Sequence, residues 1–161
     1  MNCVMRIAIL SLLFFGLFVS LPGCRREPPY CHDGYCGCGD RVDCPMDCGD
    51  RDGCFMDCGS VNSCESHCDD GCEILCTDAT TCRHTCDEGC TLDCHSITSC
   101  EARMGPRSVA SCSNFSNCDI QCTGSCKVNC FGCNIQCLGG GGPVACPGGD
   151  AFVCGDGDCA W

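Results

Sequence analysis

The chain has 161 residues, of which 28 are cysteines, and it carries 21 carboxylates against only 9 lysines and arginines. This length leaves room for one domain and a leader, and so high a cysteine content is typical of a disulfide-stapled scaffold. The acidic balance argues against nucleic acid as a partner, because contact with phosphates needs a basic surface.

The first 23 residues are typical of an export signal. Arg6 supplies a positive charge, and Ile7 to Leu21 form an uncharged apolar run that is shorter than the roughly twenty residues of a membrane span but suits a signal peptide. The sequence LPGC follows and ends at Cys24. It resembles the lipobox of bacterial lipoproteins, in which the cysteine becomes the acylated first residue. The resemblance implies a lipid (palmitate) anchor on Cys24, with ordinary secretion as the alternative, and Arg25 favours the outer membrane.

Residues 24–43 form the next segment, interpreted as a lipid-anchored tether that leads into a small cysteine knot. An exported chain meets an oxidising space in which disulfides form and persist. Cys3 would leave with the signal and Cys24 would be blocked by lipid, so 28 − 2 = 26 cysteines remain. This even number predicts thirteen bridges.

Residues 44–137 form a repeat with a period close to eighteen residues. Its units begin at Cys44, Cys64, Cys82, Cys100 and Cys118, and cysteines recur at places 1, 5, 9 and 13 of a unit. Place 11 is always apolar, whereas its neighbours are mostly polar. In an extended strand, residues i, i+2 and i+4 share one face, so this alternation predicts strands whose cysteines point inward. Glycine and aspartate in the short connectors predict tight turns.

The unit that begins at Cys100 suggests a pairing scheme. It keeps cysteine at places 1 and 13 but has Met104 and Ser108 at places 5 and 9, which predicts that place 5 pairs with 9 and place 1 with 13. The predicted bridges are Cys44–Cys58, Cys48–Cys54, Cys64–Cys76, Cys68–Cys72, Cys82–Cys94, Cys86–Cys90, Cys100–Cys112, Cys118–Cys130 and Cys122–Cys126. The other eight cysteines receive no assignment: Cys31, Cys36, Cys38, Cys133, Cys137, Cys146, Cys154 and Cys159.

The predicted fold class is an all-β, disulfide-rich repeat. In a narrow β-solenoid each eighteen-residue unit would be one coil, and in the alternative each unit would be a separate disulfide-stapled hairpin on a string. The constant unit length favours the solenoid, because stacked coils do not tolerate insertions. Residues 138–161 are rich in glycine, break the period, and are interpreted as a C-terminal cap.

Two kinds of metal site are considered. Acidic residues recur in the connectors and would stack along one edge of a solenoid: Asp50, Asp52, Asp69, Asp70, Asp87 and Glu88. They resemble the carboxylate edge of calcium-binding β-roll repeats, which implies a possible calcium site, and a solvated acidic turn is the favoured alternative. Thiolate binding of metal is the other alternative, but the dominant C-x-x-x-C spacing differs from the paired two-residue spacings of zinc sites.

The lipobox, the short tether and the C-x-[apolar]-x-C units together resemble the cysteine-rich repeat lipoproteins of Gram-negative soil bacteria. The resemblance implies a non-enzymatic envelope protein, held in the membrane by its N-terminal lipid, that serves surface structure, adhesion or binding to a surface protein or glycan. A calcium-binding surface module and thiol-based metal sequestration are the alternatives. The sequence contains no catalytic constellation that can be pointed to.

Overall fold

The computed structural model describes residues 30–39, 42–48, 52–157 and 159–160. Within them the chain is all β, with no helix and therefore none that could span a bilayer. The signal segment, Cys24 and Asp50 lie outside the described residues, so the predictions made for them stay predictions.

Thirteen strands are described. They are β1 (Tyr30–His32), β2 (Tyr35–Gly37), β3 (Asp43–Asp47), β4 (Phe55–Asp57), β5 (Ser63–Asp70), β6 (Glu73–Thr77), β7 (Thr81–Glu88), β8 (Thr91–Met104), β9 (Ser108–Cys122), β10 (Cys126–Cys130), β11 (Asn134–Cys137), β12 (Val144–Ala145) and β13 (Ala151–Cys154).

The strands form a β-solenoid of about five coils with a spacing close to eighteen residues. The first sheet contains β2, β4, β6, residues 91–95 of β8, the start of β9, and β10, all parallel. The second sheet contains β3, β5, β7, residues 99–104 of β8, the end of β9, and β11, again all parallel. The solenoid prediction is therefore confirmed, and the string of separate hairpins is wrong, because each strand pairs with its equivalent in the next coil.

The core is a thin layer between the two sheets. The apolar residues at place 11 are fully buried, as their alternation predicts: Met56, Ile74, Leu92, Ala110 and Val128. Place 3 faces the same interior from the second sheet, and its residues are also buried: Met46, Ser66, His84, Ala102 and Ile120. With two such side chains per coil, bridged cysteines supply most of the remaining core.

The disulfides lie at the two corners of the coils. One corner contains Cys48–Cys54, Cys68–Cys72, Cys86–Cys90 and Cys122–Cys126, which are the bridges predicted from places 5 and 9. The other corner joins place 13 of one unit to place 1 of the next, in Cys38–Cys44, Cys58–Cys64, Cys76–Cys82, Cys94–Cys100 and Cys112–Cys118.

The predicted pairing of places 1 and 13 within one unit is therefore wrong. It affects Cys44–Cys58, Cys64–Cys76, Cys82–Cys94, Cys100–Cys112 and Cys118–Cys130. The physical reason is that a solenoid strand continues into the next coil, so place 13 reaches the following corner only six residues before the next place 1. The prediction relied on the joint absence of cysteines at places 5 and 9, which does not say which place 13 bridges a given place 1.

The coil without cysteines at places 5 and 9 fills their space with other side chains. Met104 and Ser108 are fully buried and lie in register with Cys86 and Cys126 of the adjacent coils. The Ser108 hydroxyl accepts a hydrogen bond from the Cys90 amide at 3.1 Å. The coil therefore keeps its cross-section without the bridge.

The two ends of the solenoid differ from its coils. At the N-terminal end β1 folds back on β2 as an antiparallel hairpin, which is held by Cys31–Cys36. At the C-terminal end β13 adds to β10 in the antiparallel direction and β12 pairs with β13. The bridges Cys130–Cys133, Cys137–Cys154 and Cys146–Cys159 hold this end together.

Candidate functional site

The outer surface of the second sheet is concave and polar. It encloses about 830 Å³ and runs across six parallel strands, from β3 to β11. We call it the concave face. It carries the polar side chains of places 2 and 4, which the strand alternation directs away from the core.

Coil-to-coil register arranges these side chains in two rows. The first row contains Pro45, Glu65, Arg83, Glu101, Asp119 and Asn134. The second row contains Asp47, His67, Thr85, Arg103, Gln121 and Gln136. Neighbours within a row are about 4.8 Å apart, and the two rows are separated by about 6.6 Å along the strands.

Hydrogen bonds fix part of the first row. The Arg83 guanidinium donates from Nε to the Glu101 carboxylate at 3.0 Å. Asp119 accepts hydrogen bonds from the amide of Asn134 at 2.8 Å and from that of Asn117 at 2.6 Å. These two hydrogen bonds lower the pKa of Asp119, and the bond from Asn134 has the larger effect. They also hold the Asp119 carboxylate in place.

The second row is less constrained by neighbouring side chains. His67 lies 3.4 Å from the Asp69 carboxylate. No carboxylate of the described chain lies within ion-pairing distance of Arg103, which is exposed between Thr85 and Gln121 in its row. The centre of the concave face therefore presents donors and acceptors that are open to a ligand.

The outer surface of the first sheet has a different character. Near its N-terminal end Tyr35 stacks on Phe55 with ring centroids 5.6 Å apart, and the Tyr35 hydroxyl donates to Asp57 at 3.3 Å. The negative charge of Asp57 raises the pKa of Tyr35. The Tyr35 hydroxyl and the Asp57 carboxylate therefore satisfy each other. The stacked aromatic rings lie near the N-terminal end of this sheet.

The predicted acidic edge follows the corner that contains the bridges of places 5 and 9. Asp70 lies in register with Glu88. Asp69 and Asp87 lie at equivalent places near the ends of β5 and β7, and Asp52 lies in the corresponding turn of the first coil. Glycine forms each of these turns at positive φ, as at Gly71 with φ 68°. In the next coil the turn contains Arg107, which forms an ion pair with Glu88, so the row of carboxylates ends in a cation.

His84 is a buried polar group that lies between the sheets rather than on a surface. It is 3% exposed, and its Nδ1 lies 2.5 Å from the Ser66 hydroxyl oxygen. Its Nε2 has no hydrogen-bond partner among the described residues. Burial lowers the pKa of His84 to about 3, so the imidazole is neutral.

His84 also lies close to the sulfur atoms of two cysteines. Potential ligand atoms of Cys76, Cys82 and His84 lie within 4.8 Å of one another, but the two cysteines are joined to each other. A bridged cysteine has no thiolate to offer a metal. The same holds for the other close cysteine triplets that the geometry identifies, such as Cys94, Cys100 and Cys112.

Comparisons with protein-family models, with curated proteins and with solved structures found no match. The site is therefore interpreted from its residues alone. The sequence analysis did not identify the concave face, although its signal was present. Places 2 and 4 of each first strand are mostly polar, and the confirmed register aligns them coil after coil.

Proposed function

We propose that the protein is a non-enzymatic, lipid-anchored component of the bacterial cell envelope whose rigid solenoid presents a binding surface outside the cytoplasm. The observation that carries this proposal is the state of the cysteines. Thirteen bridges use every cysteine from Cys31 to Cys159. Disulfides of this number form and persist in an oxidising compartment and not in the cytosol.

The LPGC motif that ends at Cys24 supports the lipid anchor, and Arg25 after it supports the outer membrane. Two serine–histidine contacts occur among the described residues, but neither supports a hydrolase. Ser66 and His84 are sealed in the core, and within the described chain no carboxylate contacts the half-buried His95 that touches Ser113.

The acidic corner supports a second candidate, a calcium-binding surface module. Asp70 lies directly beside Glu88, and stacked carboxylates are the ligand type that calcium prefers. Calcium needs six or more oxygens, however, and Glu88 already pairs with Arg107. We therefore rank this candidate below the binding scaffold.

The proposal is tested by the intact mass of the protein purified from its own membranes, with thiol alkylation before reduction. We expect a chain that begins at Cys24, carries an acyl increment and takes up no alkyl group. The variant Cys24→Ser should appear in the soluble fraction instead. Many alkylated thiols together with co-purifying metal would overturn the proposal and support thiol-based metal sequestration.

A further inference from the structure

We propose that the concave face binds a neutral, linear glycan whose sugar units follow the two rows of polar side chains, one unit per coil. This inference rests on the proposed function, because it names the ligand of the binding surface. Its first support is periodicity. The two rows repeat the same spacing across six strands, and a regular array of this kind matches a polymer better than a compact ligand.

The dimensions of the array agree with a chain of sugar rings. Neighbouring strands lie about 4.8 Å apart and the rows about 6.6 Å apart, so a pyranose ring fits between one residue of each row. The whole face spans five strand spacings, or about 24 Å. A ligand that lies along the solenoid axis would meet the same pair of places in every coil.

The side chains have the chemistry that vicinal hydroxyls require. Carboxylates, carboxamides and guanidinium groups each present two donor or acceptor positions in a fixed plane. Glu101, Asp119, Arg103, Gln121 and Gln136 supply such groups on adjacent strands. Each can contact two neighbouring hydroxyls of one sugar.

Part of the face is already organised for binding. The Arg83–Glu101 ion pair and the carboxylate of Asp119 between two amides hold their side chains before any ligand arrives. Ordering a long side chain on binding costs about 0.5–1.5 kcal/mol. Side chains that are already held avoid this cost.

Other classes of partner fit the face less well. Protein interfaces are enriched in aromatic residues and methionine at their centre, and the two rows contain neither. A polyanion is disfavoured because the rows carry four carboxylates, Asp47, Glu65, Glu101 and Asp119, against two arginines, and the whole chain has a formal net charge of −12. An uncharged, hydroxyl-rich polymer avoids both difficulties.

The experiment is calorimetric titration of the oxidised mature chain with cellohexaose, laminarihexaose and maltohexaose, with glucose and alginate as comparison ligands. We expect at least one hexamer to bind, and to bind at least tenfold more tightly than glucose. Arg103→Ala should weaken that binding at least tenfold. Arg107→Ala, which removes the same charge at the corner outside the face, should leave it within twofold.

Four results would overturn the inference: no binding of any hexamer, glucose binding as tightly as the hexamers, alginate binding more tightly than they do, or equal losses from the two arginine variants. The failure of this inference can be distinguished from failure of the proposed function. A protein that carries the acyl increment and intact bridges but binds no hexamer contradicts only the glycan. A protein with free thiols and bound metal contradicts the scaffold itself.

Discussion

His84 leads to a specific prediction about how the free energy of unfolding depends on pH. Its imidazole is buried between the two sheets, where becoming charged is costly. Its neighbours in the same interior row are Ser66 and Ala102, and Leu92 occupies place 11 of its own coil. None of these residues carries a charge that could stabilise an imidazolium. The perturbation that we propose is the double variant Ser66→Ala/His84→Met, which places at position 84 the residue found at the equivalent Met46.

The magnitude follows from the difference between the folded and unfolded states. The pKa of His84 is lowered from 6.5 to about 3 in the folded protein. Between these values the unfolded chain binds a proton that the folded chain does not, so stability falls as the pH falls. The contribution of His84 is fully present above pH 6.5. At pH 4.5, two units lower, it should have declined by about 3 kcal/mol, at 1.36 kcal/mol per unit.

The assay is guanidinium unfolding of the oxidised protein at pH 7 and at pH 4.5. The natural chain should lose about 3 kcal/mol more than the double variant between these two conditions. Carboxylates titrate in both proteins, so the difference between them isolates His84. Equal losses in the natural chain and the double variant would refute the assignment of His84 as a sealed neutral group.

Three further predictions concern the coils and the corner. Replacing both Cys94 and Cys100 by serine opens a bridge of sequence separation 6 and should lower the free energy of unfolding by about 2 kcal/mol; an unchanged denaturation midpoint would contradict its role. Gly105→Ala would drive a Cβ into the Asp87 carbonyl, which is backbone, and should cost about 3 kcal/mol or more by thermal or chemical unfolding, whereas Gly142→Ala, with nothing within 4 Å, should change stability by less than about 0.5 kcal/mol. Millimolar calcium should raise the melting temperature no more than magnesium does, and a calcium-specific increase would favour the calcium-binding candidate.

Much of the fold could be predicted because the same pattern of cysteine and apolar residues recurs in five units. The apolar residue at place 11 distinguishes strand from helix, since i+2 shares the cysteine face only in an extended chain. Met56, Ile74, Leu92, Ala110 and Val128 are all fully buried. The fixed unit length indicated stacking, and the in-register pairing of equivalent strands agrees with it.

The pairing at one corner could not be predicted, and the geometry explains why. The sulfur atoms of Cys94, Cys100 and Cys112 lie within 4.8 Å of one another, so place 1 has place 13 of its own coil on one side and place 13 of the preceding coil on the other. The absence of cysteine at positions 104 and 108 is compatible with either choice. Only the direction of the chain between Cys94 and Cys100 separates them.

The concave face escaped prediction for another reason. A single strand such as β7 shows polar residues at Arg83 and Thr85, which is what any solvated strand shows. Their meaning depends on neighbours eighteen residues away. The Asp119 contacts with Asn117 and Asn134 join a residue of the same strand and one of the last strand of the sheet. Neither contact is visible as a motif.

The order of the bridges along the chain has a consequence for biogenesis. From Cys31 to Cys133, each cysteine is joined to the one immediately before or after it in the sequence, never more than six residues away. A polypeptide that emerges from an export channel N-terminus first would thus meet its native partner before any competitor, provided that an oxidant acts as the thiols appear. Oxidation in the order of emergence would lay down the coils one after another. Only the crossed pair at the end, Cys137–Cys154 and Cys146–Cys159, must wait until the last residues are released.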